Sequence, residues 1–317
     1  MDYKKIEEPS YALTEPIKEM YKVIPTRETP YFDMKKVDRL MQGAIDVHIH
    51  GGPDAWSPRH FNDIELAMQA CEAGMGAIVI KCHTAPSARS TQLAQWAVDR
   101  WANDRSKQSI RIIGGIVLNY NVGGLNAEAV EMTARLGGKF IWTPNLDSSH
   151  QHKLTGKPGG IEVITKNDKV VPELMEIFEI IAKYDLVLSL CHHSSKERFI
   201  MIDSAKERGV KRIEIVHPFY CITKMSIEQM KMAAQKGVYL GHYCHTFHKP
   251  DFSWEETIQA IHEIGADHFV LGTDAGTWKL PPPLTSYRTF VGMLVEKGIP
   301  EVDVEKMAKL NAQKLIF

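Results

Sequence analysis

The sequence has no charge imbalance. Thirty-eight Lys and Arg stand against 39 Asp and Glu, a formal net charge of -1 at pH 7. No basic stripe or acidic tail breaks that balance, so neither nucleic acid nor a membrane surface is expected as a partner. No apolar run approaches the ~20 residues of a membrane span. The opening "MDYKKIEEPSYALTEP" is polar and has no apolar core of a secretory leader, so no signal peptide is expected. Cysteine is scarce: five residues without paired spacing argue against a disulfide framework and suit a reducing cytoplasm. Internal repeats and low-complexity tracts are also missing.

What the chain does have is alternation. Over 317 residues, 44% of them hydrophobic, it can bury a large core. Short apolar runs predict strands at 44–50, 76–83, 110–119, 139–144, 186–193, 212–218, 238–245 and 268–275. Helical patterns such as "DIELAMQACEAGM", "PELMEIFEIIAKYD" and "SWEETIQAIHEIGA" lie between them. Eight β-then-α units predict an α/β protein with a parallel sheet, closed as a (β/α)8 TIM barrel. An open doubly wound sheet is the alternative, but no glycine-rich dinucleotide fingerprint follows the first strand. Residues 1–43, with Pro9, Pro16, Pro25 and Pro30, read as an N-terminal arm packed on a barrel of residues 44–317. The long connection 145–172 after the fourth strand contains "GGIEVITKNDKVVP", which reads as a hairpin turning at Asn167-Asp168. Loops of this length shape or cover sites.

The chemistry gathers where such a barrel keeps it, at the C-terminal ends of the strands. In "AIDVHIHGGPD", residues 44–54, strand alternation places His48 and His50 on one face with Asp46 beside them. Gly51, Gly52 and Pro53 then stop the strand, leaving both imidazoles at its mouth. Two imidazoles one strand-repeat apart can share a metal ion. The other strand ends carry Lys81 and His83, Asn119, His192 and His193, His217, His242 and His245, and Asp274. Any one of these could be a satisfied core residue. So many at one end are hard to attribute to packing, because unpaired buried polar groups are costly.

His48-x-His50, a histidine ending each of the fifth and sixth strands, and Asp274 ending the eighth resemble the metal-dependent amidohydrolase superfamily. The resemblance runs over residues 44–317, because "KMAKLNAQKLIF" is similar to that superfamily's closing helix. "DVHIHGGPD", "IKCH", "GGIEVITKNDKVVPEL", "IVHP" and "PPPLTSYRTFVGMLVEKGI" resemble a poorly characterised branch of small barrel hydrolases. The resemblance implies that His48, His50, His192 and His217 are metal ligands. It implies that Asp274 both binds metal and shuttles protons. One or two divalent ions are implied, Zn²⁺ first, with Mn²⁺, Fe²⁺ or Ni²⁺ as alternatives. Strand parity turns His193 to the other face, into a structural role.

One departure matters. Binuclear members carry a carboxylated lysine at the end of the fourth strand, where this chain reads Trp142-Thr143-Pro144, and Lys139 lies at the wrong end of that strand. Lys81, which shares inward parity with Val79 and His83, is the substitute. It is read either as a carbamylated bridge between two metals or as a cation that holds an anionic substrate group.

A bound divalent ion lowers the pKa of water from 15.7 to about 7. Hydroxide is then available beside a polarised carbonyl, and Asp274 can move the proton to the leaving group. The parts therefore predict hydrolysis of an amide, cyclic amide or lactone of a small molecule, with Asp274, Lys81 and His83 as catalytic candidates. Arg59, Asn119, Trp56 and Tyr120 are the candidate substrate-binding residues, Arg59 because its guanidinium can pair bidentately with a carboxylate. Trp278 is a further loop aromatic. His150 and His152 in the long loop are expected at the surface. A second metal cluster of His242, His245 and His248 is disfavoured because parity separates the first two. The cysteines near strand ends are expected to be small apolar filler. A metal-dependent lyase or decarboxylase on the same barrel, and a non-catalytic binding barrel, are the competing readings. A cytoplasmic homo-oligomer is expected.

Overall fold

The structure, a computed structural model, describes residues 32–317. Its strands are β1 (Ile45–Ile49), β2 (Ala77–Ile80), β3 (Arg111–Ile113), β4 (Gly115–Val117), β5 (Phe140–Trp142), β6 (Val187–Leu190), β7 (Arg212–Val216), β8 (Tyr239–Tyr243) and β9 (Phe269–Gly272). They pair in parallel in the order β1-β2-β3 and β4-β5-β6-β7-β8-β9. The last strand returns to the first: Asp274 N donates to His48 O at 2.7 Å and His50 N to Ala275 O at 2.9 Å. The fold is a (β/α)8 barrel.

The third expected strand, 110–119, is broken into β3 and β4 at Gly114. Ser87 is the wedge. Its hydroxyl donates to Ile80 O at 2.7 Å and accepts from Gly115 N at 3.0 Å. A Cβ on Gly114 would stand 2.8 Å from the Ala88 backbone, so only glycine lets the following helix (Ala88–Asn103) start this close to the strand.

Two apolar layers result. Ile45, Val47, Val79, Val117, Trp142, Val187, Val216 and Val270 fill the barrel interior. Ile78, Ile116, Leu188, Ile215, Leu240 and Leu271 face the helices instead. This alternation is the period of 2 expected of strands covered on both sides. The helices begin where the sequence supplies caps: Asn62 with Glu65, Ser194 with Glu197, and Ser226 with Gln229 form reciprocal capping boxes. Ala312, Leu315 and Ile316 of the closing helix Asn311–Ile316 join the interior core at the end opposite the strand C-termini. There Arg212, at the start of β7, donates to the carbonyls of Lys314, Leu315 and Phe317.

Of the expected arm, residues 1–31 lie outside the described residues. The rest forms the helix Met34–Met41, capped by Asp33, with Val37, Leu40 and Met41 buried. The 145–172 connection is less open than the sequence suggested. It contains the helix Ser149–Thr155, followed by a minimal hairpin in which Ile164 and Val170 bridge antiparallel and Asp168 turns with a φ of 57°.

Candidate metal centre

The β1 histidines reach the site through an irregularity that strand alternation did not predict. Between Asp46 and Ile49 the register against β2 shifts, three residues of β1 spanning two of β2. Ile45 and Val47 point into the barrel, yet so does His48, whose ring stands 4.6 Å from that of Tyr243 and 6.2 Å from that of Trp142. The expectation that Asp46 shares a face with His48 and His50 is therefore corrected. Asp46 accepts from Thr273 N (2.9 Å), Thr273 Oγ1 (2.7 Å) and His48 N (3.1 Å), which ties β1 to the end of β9. Burial raises its pKa to about 7.

Two further residues are turned by backbone strain. His217 and Asp274 follow β7 and β9 with φ of 54° and 49°, in the left-handed region that most residues avoid. Strain of this kind concentrates at functional sites. Both side chains point at the same spot as His48 and His50. Asp274 Oδ1 is 2.9 Å from His50 Nε2 and 3.2 Å from His48 Nε2, and its Oδ2 is 3.6 Å from His217 Nε2. One donor atom from each of His48, His50 and Asp274 falls within 4.8 Å of the others.

Protonation inside this cluster is constrained. His50 Nδ1 lies 2.7 Å from Lys81 O, a carbonyl that can only accept, so the ring donates there. Burial lowers the pKa of His50, and burial with the nearby Lys81 lowers that of His48 to about 3, which favours the neutral rings. His50 Nε2 faces a carboxylate oxygen at 2.9 Å, a spacing that a proton or a metal ion between the two atoms accommodates. His48 Nδ1 and Nε2 and His192 Nε2 are buried without a hydrogen-bond partner in the described structure. His192 Nδ1 is engaged by Gln151 Oε1, from the helix Ser149–Thr155, which leaves Nε2 as the free lone pair. Imidazoles, two of them (His50 and His192) oriented by a second hydrogen bond, together with a carboxylate are the donor set of a first-row divalent ion. The residues fit the metal.

Asp274 is held well below the usual carboxylate range: burial alone would raise it, but His217, His48 and His245 around it outweigh that. His245 Nδ1 is 2.9 Å from Asp274 Oδ2. His245 is the clearest residue that sequence reasoning misplaced. It was weighed with His242 and His248, but β8 ends at Tyr243, and the turn Cys244–Phe247 carries His245 to the mouth. His242 points the other way, between Phe219 and Phe290. His193 is also outside the cluster, its Nε2 2.9 Å from Thr143 Oγ1.

The cluster lies in a cavity of about 1210 Å³, also lined by Trp56, Arg59, Lys81, His83, Asn119 and Trp278. Arg59 is engaged by Asp54, with Nη2 at 2.5 Å and Nε at 3.0 Å from one oxygen. Asn119 holds Asn145 and His83 in place. Tyr120 is 56% exposed and is not among the residues lining this cavity. His150 and His152 sit on the Ser149–Thr155 helix, bonded to Ile222 O and Pro158 O, and it is their neighbour Gln151 that enters the site. The described cysteines are free thiols, all buried except Cys82. No described helix is long and apolar enough to cross a membrane.

Structural neighbours share this barrel. An amidohydrolase from Pseudomonas aeruginosa aligns with a TM-score of 0.59 at 14% identity, covering 90% of this chain and 98% of the other. A 2,6-dihydroxybenzoate decarboxylase from Rhizobium aligns at 0.51 and 14%, covering 86% and 98%. An enamidase described as a member of the amidohydrolase superfamily aligns at 0.51 and 13%, covering 86% and 67%. At these identities the likeness is one of fold. No curated protein matches the sequence. The model of the "Family of unknown function (DUF6282)" matches residues 43–241, and the chain belongs to that family.

Proposed function

We propose that the protein is a metal-dependent hydrolase of the amidohydrolase kind, cleaving an amide, cyclic amide or lactone bond of a small molecule. The observation that carries this reading is the convergence of one donor atom each from His48, His50 and Asp274 within 4.8 Å of one another at the mouth of the barrel. His48, His50 and Asp274 hold the ion, with His192 and His217 completing the ligand set. Zn²⁺ suits these donors, as do Mn²⁺, Fe²⁺ and Ni²⁺. A divalent ion bound here supplies Lewis acidity and lowers the pKa of water to about 7.

The chain's own residues do the rest. Asp274 is the carboxylate among the ligand histidines, so it takes the proton from the attacking water and returns it to the leaving group. His245, on its second oxygen, orients it for both transfers. Lys81 and His83 lie beside His50 on the β2 side and face the substrate. Trp56 and Trp278 form apolar walls nearer the mouth, where each is more than half exposed.

Elemental analysis of the purified protein tests the proposal. Stoichiometric Zn, Mn, Fe or Ni is expected, with loss of activity on chelation and recovery on adding the metal back. Full activity in metal-free protein rules the reading out. Because a decarboxylase shares this fold, the products must also be identified, and released CO₂ would mean a lyase.

A further inference from the structure

The end of β2 presents two side chains whose free nitrogens can only donate. The first is Lys81. It is 1% exposed, and no described carboxylate lies within ion-pair distance of its ammonium. The contacts of Nζ are Cys191 Sγ at 3.9 Å and the Trp142 ring, whose centroid is 5.7 Å away. Glu214, the carboxylate inside the barrel, is occupied by the hydroxyls of Ser189 and Tyr243. An ammonium is attracted to an indole face, whereas the negative charge of a carbamate would be repelled by it. A buried cation left unpaired is costly, so its position calls for an anion.

The second is His83, whose tautomer is fixed by a network anchored on the backbone. Asn145 N donates to Asn119 Oδ1 at 3.1 Å, and Leu146 N donates to Asn145 Oδ1 at 2.6 Å. A backbone N–H needs an acceptor, so neither amide can be flipped. Asn119 Nδ2 therefore donates to Asn145 Oδ1 at 2.8 Å, and Asn145 Nδ2 donates to His83 Nδ1 at 3.0 Å. His83 accepts at Nδ1. With Nδ1 accepting, the ring's proton stands on Nε2.

We propose that Lys81 and the Nε2–H of His83 together bind a carboxylate of the substrate, so that the enzyme acts on a small acidic molecule. This rests on the hydrolase reading of the adjacent centre: with the acid group held at the end of β2, the scissile carbonyl lies beside the ligand histidines. The rim agrees in sign. Lys157 and Lys279 line the same cavity, against Asp147 as a rim carboxylate, a field that draws anions inward.

The test is calorimetric titration of the metal-loaded protein with benzoate and with benzamide, its neutral counterpart. Benzoate is expected to bind about tenfold tighter or more, the effect of one charge-assisted hydrogen bond. Lys81→Met is expected to abolish that preference while keeping its metal. His83→Leu should weaken the preference about threefold and His83→Gln, which keeps an N–H, should retain it. The two His83 variants test the site even if Lys81→Met does not fold. Equal binding of acid and amide by the wild type overturns the proposal, as does an undiminished preference in Lys81→Met. Metal loss in Lys81→Met overturns it too, by making Lys81 a metal ligand. A wild-type protein that prefers benzoate but contains no metal instead refutes the hydrolase reading and leaves the anion site standing.

Discussion

Gln151 Oε1 accepts a hydrogen bond from Nδ1 of His192, which ties the helix in the long post-β5 connection to the candidate metal centre. The bond fixes the ring so that Nε2 faces the other ligands. Outer partners of this kind are worth about 10- to 100-fold in metal affinity. Gln151→Ala is expected to lower affinity by that factor with little change in melting temperature of the apo protein. Competition with a chromophoric chelator measures it, and an unchanged constant would separate the helix from the metal.

Asp274 permits a clean substitution. Its φ of 49° is tolerated by asparagine better than by other residues, so Asp274→Asn should fold. The amide keeps the shape but cannot take a proton. The expected result is a protein that retains much of its metal and loses about 10²- to 10⁴-fold in kcat. Unchanged turnover in metal-loaded protein would remove Asp274 from the proton path.

Gly276 lies under the β1 end with a φ of 138°, and a Cβ there would come 2.0 Å from His50 O. Gly276→Ala must therefore displace His50 or the segment after β9. A loss of about 3 kcal/mol or more is expected from the strain and the clash together. Chemical denaturation checks it, and metal content should fall in parallel.

His242 provides a pH prediction away from the metal. Burial depresses its pKa from 6.5 to about 3 between Phe219 and Phe290. The folded state thus binds fewer protons than the unfolded one, and the contribution to stability, complete above pH 6.5, is lost as pH falls from there toward 3. Each pH unit in that window costs about 1.4 kcal/mol, so pH 5 should cost about 2 kcal/mol relative to neutrality. His242→Leu removes this titration. As the buffer is acidified below pH 6.5 the wild type should lose stability relative to the variant, and parallel curves would contradict a neutral buried His242.

Strand count, parallel pairing and the placement of His48, His50, His192, His217 and Asp274 at one mouth were readable because strand period and glycine or proline breakers are local signals. Lys81 kept the inward parity of Val79 for the same reason. What could not be read depended on distant partners. The β1 register shift that puts His48 in the site and Asp46 behind it is set by pairing with β2. The left-handed turns at His217 and Asp274 have no glycine to announce them. Arg59 was offered to a substrate carboxylate, but Asp54, five residues earlier, already engages its guanidinium. Gln151 and Asn145 acquire their roles only when the connection after β5 folds over the barrel.

The closing helix has a consequence for traffic. Ala312, Leu315 and Ile316 stopper the barrel at the end away from the histidines. Among the described residues the cavity therefore opens at the strand C-termini, where Trp56 and Trp278 lie exposed along its lining. On the proposed hydrolase reading, product leaves by the end at which substrate arrives. Released acid should then act as a competitive inhibitor, and turnover should slow as product accumulates well before substrate is exhausted.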